Sequence, residues 1–297
     1  MSMRTLIATV AGLTAVAATA APASAITYGE PDAGEHPYVG LMLAYTWDDL
    51  NADDEMTDDE LFAAWRCTGT QMDADTFLTA GHCTYGADAV AIWYDDDLQD
   101  VRFAQDFVVF AEAIDQDSAL DADAWSYDAI SHPEYADSAF YLHAVGVVDN
   151  MILADDTSFT TYGALPELSY WDTQLAKRKQ DRDSSTTVGY GLQVSSPSQG
   201  IGRSTQADWL KLKAGGELIG YRVFGGGKTN DAYVVLTNNA NTGGTCFGDS
   251  GGPTFIEDTN TVVAVTSFGM NSTCSGTSGV YRIDTADDLA WLSGYID

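Results

Sequence analysis

Positive charge is the scarcest thing in this chain. Its 297 residues hold 13 Lys and Arg against 44 Asp and Glu, a formal net charge of −31. A surface that acidic repels phosphate backbones and anionic headgroups, which excludes nucleic acid and membrane lipid as partners. Cysteine is also scarce: Cys67, Cys83, Cys246 and Cys274 are the whole supply. None forms a Cys-x-x-Cys pair, so a cysteine metal site is disfavoured, while in an exported chain four cysteines make two disulfides with three pairings open. No apolar run after the first 25 residues is long enough to span a bilayer. Internal repeats, low-complexity linkers and extended helical patterns are missing as well.

What is present begins with a leader. Arg4 opens a short charged region, an apolar stretch follows to about Ala20, and Ala23-Ser24-Ala25 is a small-residue cleavage site; residues 1–25 therefore read as a secretory signal and the protein as extracellular. Removing Arg4 with the leader takes the net charge to −32. The charge keeps the chain soluble at the cost of self-repulsion, which salt screens, so adaptation to a salty medium stands beside ordinary secreted acidity as an account of it.

With 45% hydrophobic residues the remainder can fill one large all-β domain or two ordinary ones. Short β-branched and aromatic runs bounded by Gly, Asn and Asp clusters predict strands at residues 39–45, 89–94, 101–110, 144–148, 220–224 and 232–236. Thr57 to Glu60 forms a capping-box pattern that predicts one helical turn over residues 61–65. Apolar spacing with acidic residues in the first turn predicts a C-terminal helix within 285–295. Residues 47–60 read as an exposed acidic loop. The run Gly225-Gly226-Gly227-Lys228-Thr229 lacks the first glycine of a phosphate loop, because position 222 is Arg222, and reads as a turn. Asn271-Ser272-Thr273 is a formal glycosylation sequon.

Two short motifs carry chemistry. In Gly248-Asp249-Ser250-Gly251-Gly252-Pro253 a serine sits between glycines at a sharp turn, where its oxygen can project while neighbouring N–H groups face a developing oxyanion. In Thr79-Ala80-Gly81-His82-Cys83 a histidine closes the apolar run Phe77-Leu78, placed as the general base that a serine nucleophile needs. In this order, about half a domain apart, the motifs resemble those of the trypsin and chymotrypsin family of serine proteases, and the likeness extends over nearly everything from Ile26 onward.

That resemblance implies an all-β fold of two six-stranded antiparallel β-barrels, roughly 26–160 and 161–297, with a C-terminal helix. It implies a monomer acting on peptide or protein substrates, with His82 as base, Ser250 as nucleophile, and the N–H groups of Gly248 and Ser250 as oxyanion hole. It pairs Cys67 with Cys83 and Cys246 with Cys274. It places an α-ammonium of Ile26 against Asp249, and it implies no cofactor; calcium is the one ion invited, by the acidic stretch Asp95, Asp96, Asp97 and Asp100. Side-chain preference falls to Gly244, Ser267, Gly269 and Gly279. An Asp at the first would hold Lys or Arg, and Gly244 instead implies a large apolar or aromatic P1 residue.

One part of the pattern is broken. The stretch His143-Ala144-Val145-Gly146-Val147-Val148 has the look of the strand that carries the orienting aspartate, and Ala144 stands in the aspartate's place. Asp149 lies too far along that strand and Asp137 belongs to a loop before it. Two functions follow from this: a secreted serine endopeptidase impaired at one position, or a pseudoprotease that binds peptides without turnover.

Overall fold

In the computed structural model the almost unbroken apolar run Val39–Trp47 is a strand buried over its first seven residues and paired on both sides. The structure describes residues 26–50, 55–104, 109–135, 143–193, 208–222, 232–269 and 274–296. The leader at 1–25, Asp53, Asp54, Asp137, the glycine-rich run 225–229 and the sequon at 271–273 lie outside them.

The first strands are β1 (Glu30–Pro31), β2 (Val39–Trp47), β3 (Leu61–Gln71), β4 (Phe77–Ala80), β5 (Ala89–Trp93), β6 (Ala124–Ser126), β7 (Asp128–Ser131), β8 (Val145–Asp149) and β9 (Ile152–Leu153). Then come β10 (Ser185–Gly189), β11 (Leu212–Gly216), β12 (Leu218–Arg222), β13 (Tyr233–Asn238), β14 (Pro253–Ile256), β15 (Val262–Gly269) and β16 (Gly276–Arg282). The helices are short: α1 (Gly81–Thr84), α2 (Gln99–Ala104), α3 (Phe110–Ala113), α4 (Tyr170–Ala176) and α5 (Ala286–Leu292).

The strands build two curled antiparallel sheets, in the orders β7-β8-β4-β3-β2-β5-β6-β9 and β1-β11-β10-β14-β15-β16-β13-β12. With the short C-terminal helix this is the chymotrypsin-like all-β fold. Among the described residues each sheet has eight strands rather than six, and a very short piece joins one edge of each, β1 and β9 having two residues each. A single core cluster draws on both sheets, packing Val39, Leu78 and Val145 with Val188, Phe255, Val265 and Tyr281. Burying each such side chain contributes roughly 1.5–3 kcal/mol.

Each end of the chain reaches across. β1 pairs with β11 of the second sheet, Glu30 opposite Lys213. α5 lies against the first sheet, where Trp291 packs edge-on to His132 and the Thr76 hydroxyl donates to the Tyr295 carbonyl at 3.0 Å. Two of the few cations are interior. Lys211 is buried with its ammonium on the Tyr94 carbonyl (2.7 Å) and Asp96 (3.2 Å), and Arg282 is buried against Asp284.

Two local expectations fail. Residues 61–65 are not a helical turn: only Asp58–Glu60 curl, as a 3₁₀ turn, and Leu61, Phe62 and Ala63 pair with Trp47, Thr46 and Tyr45 of β2. The capping-box hydroxyl of Thr57 bonds the Glu60 carboxylate and caps no backbone N–H, so nothing local holds a helix against sheet pairing. The described residues of the stretch 101–110 do not form a strand either, since 101–104 belong to α2 and Phe110 to α3. Their buried Val101, Phe110 and Ala113 fill one apolar cluster with Leu43, Tyr45 and Ala91, a packing that side chains at helical spacing supply.

Candidate active site

β4 passes directly into α1, so His82 stands on the first turn after a buried strand end. The Cys67–Cys83 disulfide ties that turn back to β3. A ring nitrogen of His82 lies within 4.8 Å of both sulfurs, and its Nδ1 is shielded from solvent. Since those sulfurs are bonded to each other, the trio is a packing contact and offers no metal site.

Ser250 arrives from the other sheet. Its turn is seated by backbone bonds on both sides: Thr68 N–H of β3 donates to the Ser250 carbonyl at 2.7 Å, and Gly251 N–H donates to the Thr266 carbonyl at 2.6 Å. The Cys83 sulfur is 3.7 Å from that same Ser250 carbonyl oxygen, which places the histidine helix against the serine turn. The approach depends on glycine: at Gly251, where φ is +81°, a Cβ would stand 2.0 Å from the Thr79 hydroxyl and 2.3 Å from the Thr68 carbonyl. His82 and Ser250 are both half-buried.

Asp249 points away from solvent and is wholly buried. Its two oxygens accept from Gly191 N–H (2.7 Å) and Cys246 N–H (2.8 Å). Burial nevertheless pushes its carboxyl up to about 7, with the two N–H groups and Arg66 pulling the other way. Arg66 carries no signal in the sequence. Its guanidinium lies over the Trp209 ring at 5.0 Å and 3.1 Å from where a Cβ on Gly248 would be, so a cation sits beside the oxyanion turn.

Ile26 is wholly buried with Leu212 and Ala214. The next residue is pinned, since the Thr27 carbonyl accepts Gly244 N–H at 3.1 Å and its hydroxyl donates to Asn238 at 2.9 Å. Gly244, Ser267 and Gly279 belong to one region, with the Cys246–Cys274 disulfide bracing it; β15 and β16 pair there, Phe268 opposite Gly279 and Gly269 opposite Ser278. Behind Gly244, wholly buried Asn238 donates to the Thr245 carbonyl and to Ser278, each at 3.0 Å. No sequence signal marks Asn238. The Ser267 hydroxyl is buried and has no hydrogen-bond partner among the described residues.

Ala144 is wholly buried just before β8, and its carbonyl accepts Gly81 N–H at 3.1 Å, one residue from His82. Asp149 is remote from it, at the opposite end of β4, beside Thr76 and Asn150. The His143 ring faces Glu134 and Asp288. In the acidic stretch, Asp96 is paired with Lys211 and Asp97 accepts from Gln99. No helix among the described residues is long and apolar enough to cross a membrane.

The trypsin family model matches residues 55–291. No curated protein matches the chain. Among solved structures, HL collagenase is similar at 19% identity and a TM-score of 0.58, covering 92% of this chain and 100% of its own. Human heparin binding protein is similar at 15% identity and a TM-score of 0.54, covering 91% of this chain and 96% of its own. At such identities the likeness speaks to fold alone.

Proposed function

The chain belongs to the trypsin family, and from that premise we propose that it is a secreted serine endopeptidase whose turnover is curbed by Ala144. Ser250 attacks the scissile carbonyl, His82 takes its proton and returns it to the leaving amine, and the N–H groups of Gly248 and Ser250 hold the oxyanion. Water then releases the acyl group by the same steps. A protease of this fold needs no cofactor for that chemistry.

The observation that carries this reading is the seating of the Ser250 turn on the strands that present His82, through the Thr68 to Ser250 backbone bond. A chain that had abandoned catalysis would have no reason to keep His82, Ser250, Asp249 and the Gly248 turn together. A neutral floor of Asn238 and Ser278 supports an apolar or aromatic P1 residue over Lys or Arg, and half-exposed Phe247 adds apolar surface next to Gly248.

The second reading, a peptide-binding pseudoprotease, rests on Ala144 itself: a methyl group cannot fix the His82 tautomer. Converting the orienting aspartate to an amide in a serine protease lowers kcat roughly 10⁴-fold. Heparin, which names the human neighbour, is a poor candidate ligand for a chain of net charge −31.

The deciding experiment is hydrolysis of a peptide amide with an aromatic P1 residue by the parent and by Ala144→Asp. The expected result is slow turnover by the parent and a gain of roughly 10³- to 10⁴-fold in kcat. Silence from both, across aromatic, aliphatic and basic P1 residues, would discard the enzyme and leave the binding groove.

A further inference from the structure

We infer that Arg66 is a positioning residue for the oxyanion hole: its guanidinium backs the Gly248 turn, holds the Gly248 N–H where it meets the developing oxyanion, and adds positive field there. The inference rests on the reading of Ser250 as nucleophile. β3 addresses the two site turns with opposite faces, because side chains alternate along a strand. Trp65 and Cys67 face the histidine turn: the Trp65 indole donates to the Cys83 carbonyl at 2.9 Å, and Cys67 is bonded to Cys83. Arg66 and Thr68 face the serine turn: the Thr68 hydroxyl donates to the Gly248 carbonyl at 3.0 Å, and Arg66 Nη2 stands 3.1 Å from the point where a Cβ on Gly248 would be.

The peptide groups on both sides of Gly248 are held. The Phe247 carbonyl accepts Leu192 N–H at 2.8 Å, and since the carbonyl and amide of a trans peptide point opposite ways, the Gly248 N–H faces away from Leu192. The Gly248 carbonyl is held by Thr68, whose hydroxyl also accepts Tyr190 N–H at 3.2 Å. What remains is the side of the glycine that carries no Cβ, at a φ of +97°. The Arg66 guanidinium and the Gly191 Cα, each 3.1 Å from the Cβ position, close it. Arg66 is itself fixed, its guanidinium over the ring of buried Trp209 at 5.0 Å and its Nη1 donating to the Tyr190 carbonyl at 3.4 Å.

The competing account makes Arg66 a counter-charge for Asp249, whose carboxyl burial pushes up while Arg66 pulls it down. On that account Arg66 stabilises the fold alone. Yet a field that reaches Asp249 also reaches Gly248 and Ser250 on either side of it, whose N–H groups receive the oxyanion. A net charge of −31 disfavours any new anion on this molecule. A fixed cation at the turn opposes that locally, and it needs no reorganisation when the charge appears. The two accounts part on what the cation changes: a counter-charge alters stability, whereas a group acting through Gly248 alters kcat and leaves substrate binding in place.

The test compares the full chain with its Arg66→Gln and Arg66→Lys variants in two assays: the rate at which a fluorophosphonate labels Ser250, and kcat and KM on a peptide amide with an aromatic P1 residue. Removing the charge should slow labelling and kcat each by roughly tenfold, less than the 10²- to 10³-fold that loss of a direct oxyanion donor costs. KM should move by less than about twofold. Arg66→Lys should recover about threefold of the loss, since lysine keeps the charge without the planar stack. Should Arg66→Gln fail to fold, Arg66→Met, which keeps an unbranched stem over Trp209, takes its place, and labelling decides wherever turnover is too slow to time. Labelling within about twofold of the parent, a loss confined to KM, or a loss that lysine does not relieve overturns this inference alone. A parent that never labels at Ser250 overturns the nucleophile reading and this inference with it.

Discussion

At Gly244 the absence of a side chain has two consequences that pull apart. Sequence logic says that an aspartate there would create a site for Lys or Arg. The structure says that a Cβ at 244 would lie 2.3 Å from the Asn238 Cγ, and Asn238 is anchored by Thr27, Thr245 and Ser278. Gly244→Asp is therefore expected to destabilise by at least about 3 kcal/mol, from overpacking and a buried charge, with no gain on basic P1 substrates; urea unfolding and a P1-Arg peptide amide measure both halves. Asp249 gives a prediction with a definite sign. Its folded pKa, about 7, stands above the ordinary carboxyl value of 3.8, so the folded state binds the extra proton between them. That contribution is complete below the unfolded value and is lost as pH rises through about 7. Between pH 4 and 8 the chain should thus lose up to about 4 kcal/mol that an Asp249→Asn variant keeps. Equal pH dependence of the two urea midpoints would refute it.

Among the elements, α4 and β16 are joined by one ionic cluster. Buried Arg282 contacts Asp284 (2.6 and 2.8 Å) and Asp172 (2.9 Å), and Asp284 accepts Trp171 N–H at 2.8 Å. Removing the cation leaves buried carboxylate behind, so Arg282→Ala should cost about 3–5 kcal/mol, whereas Arg282→Met with Asp284→Leu should recover most of it; thermal unfolding of the two variants distinguishes them. How far such elements are legible in sequence depends on the range of what determines them. The Ser250 and His82 turns, the strand before Val148 and the C-terminal helix are legible because their signals are local: glycines, a strand end, acidic residues ahead of an apolar stripe. Residues 61–65 and 101–110 mislead because sheet pairing and cluster packing overrule a local pattern. Arg66 and Asn238 are invisible, since each acquires meaning only from partners more than a hundred positions away or from another element.

At the scale of the whole molecule, charge matters most. A net charge of −31 leaves a strongly acidic surface, and like charges repel across it. Screening falls from about 10 Å at 0.1 M salt to 3 Å at 1 M, so the melting temperature should rise over that range; a flat or falling curve in sodium chloride would show that self-repulsion is negligible here. The crossed chain ends have a different consequence, one of timing. The first sheet is covered by α5, the last helix to be synthesised, and the second sheet is edged by β1, among the first strands. Neither half can finish alone: a chain emerging in order would hold an incomplete first sheet until its final dozen residues arrived, and a truncation there should yield a protease-sensitive intermediate rather than one finished half.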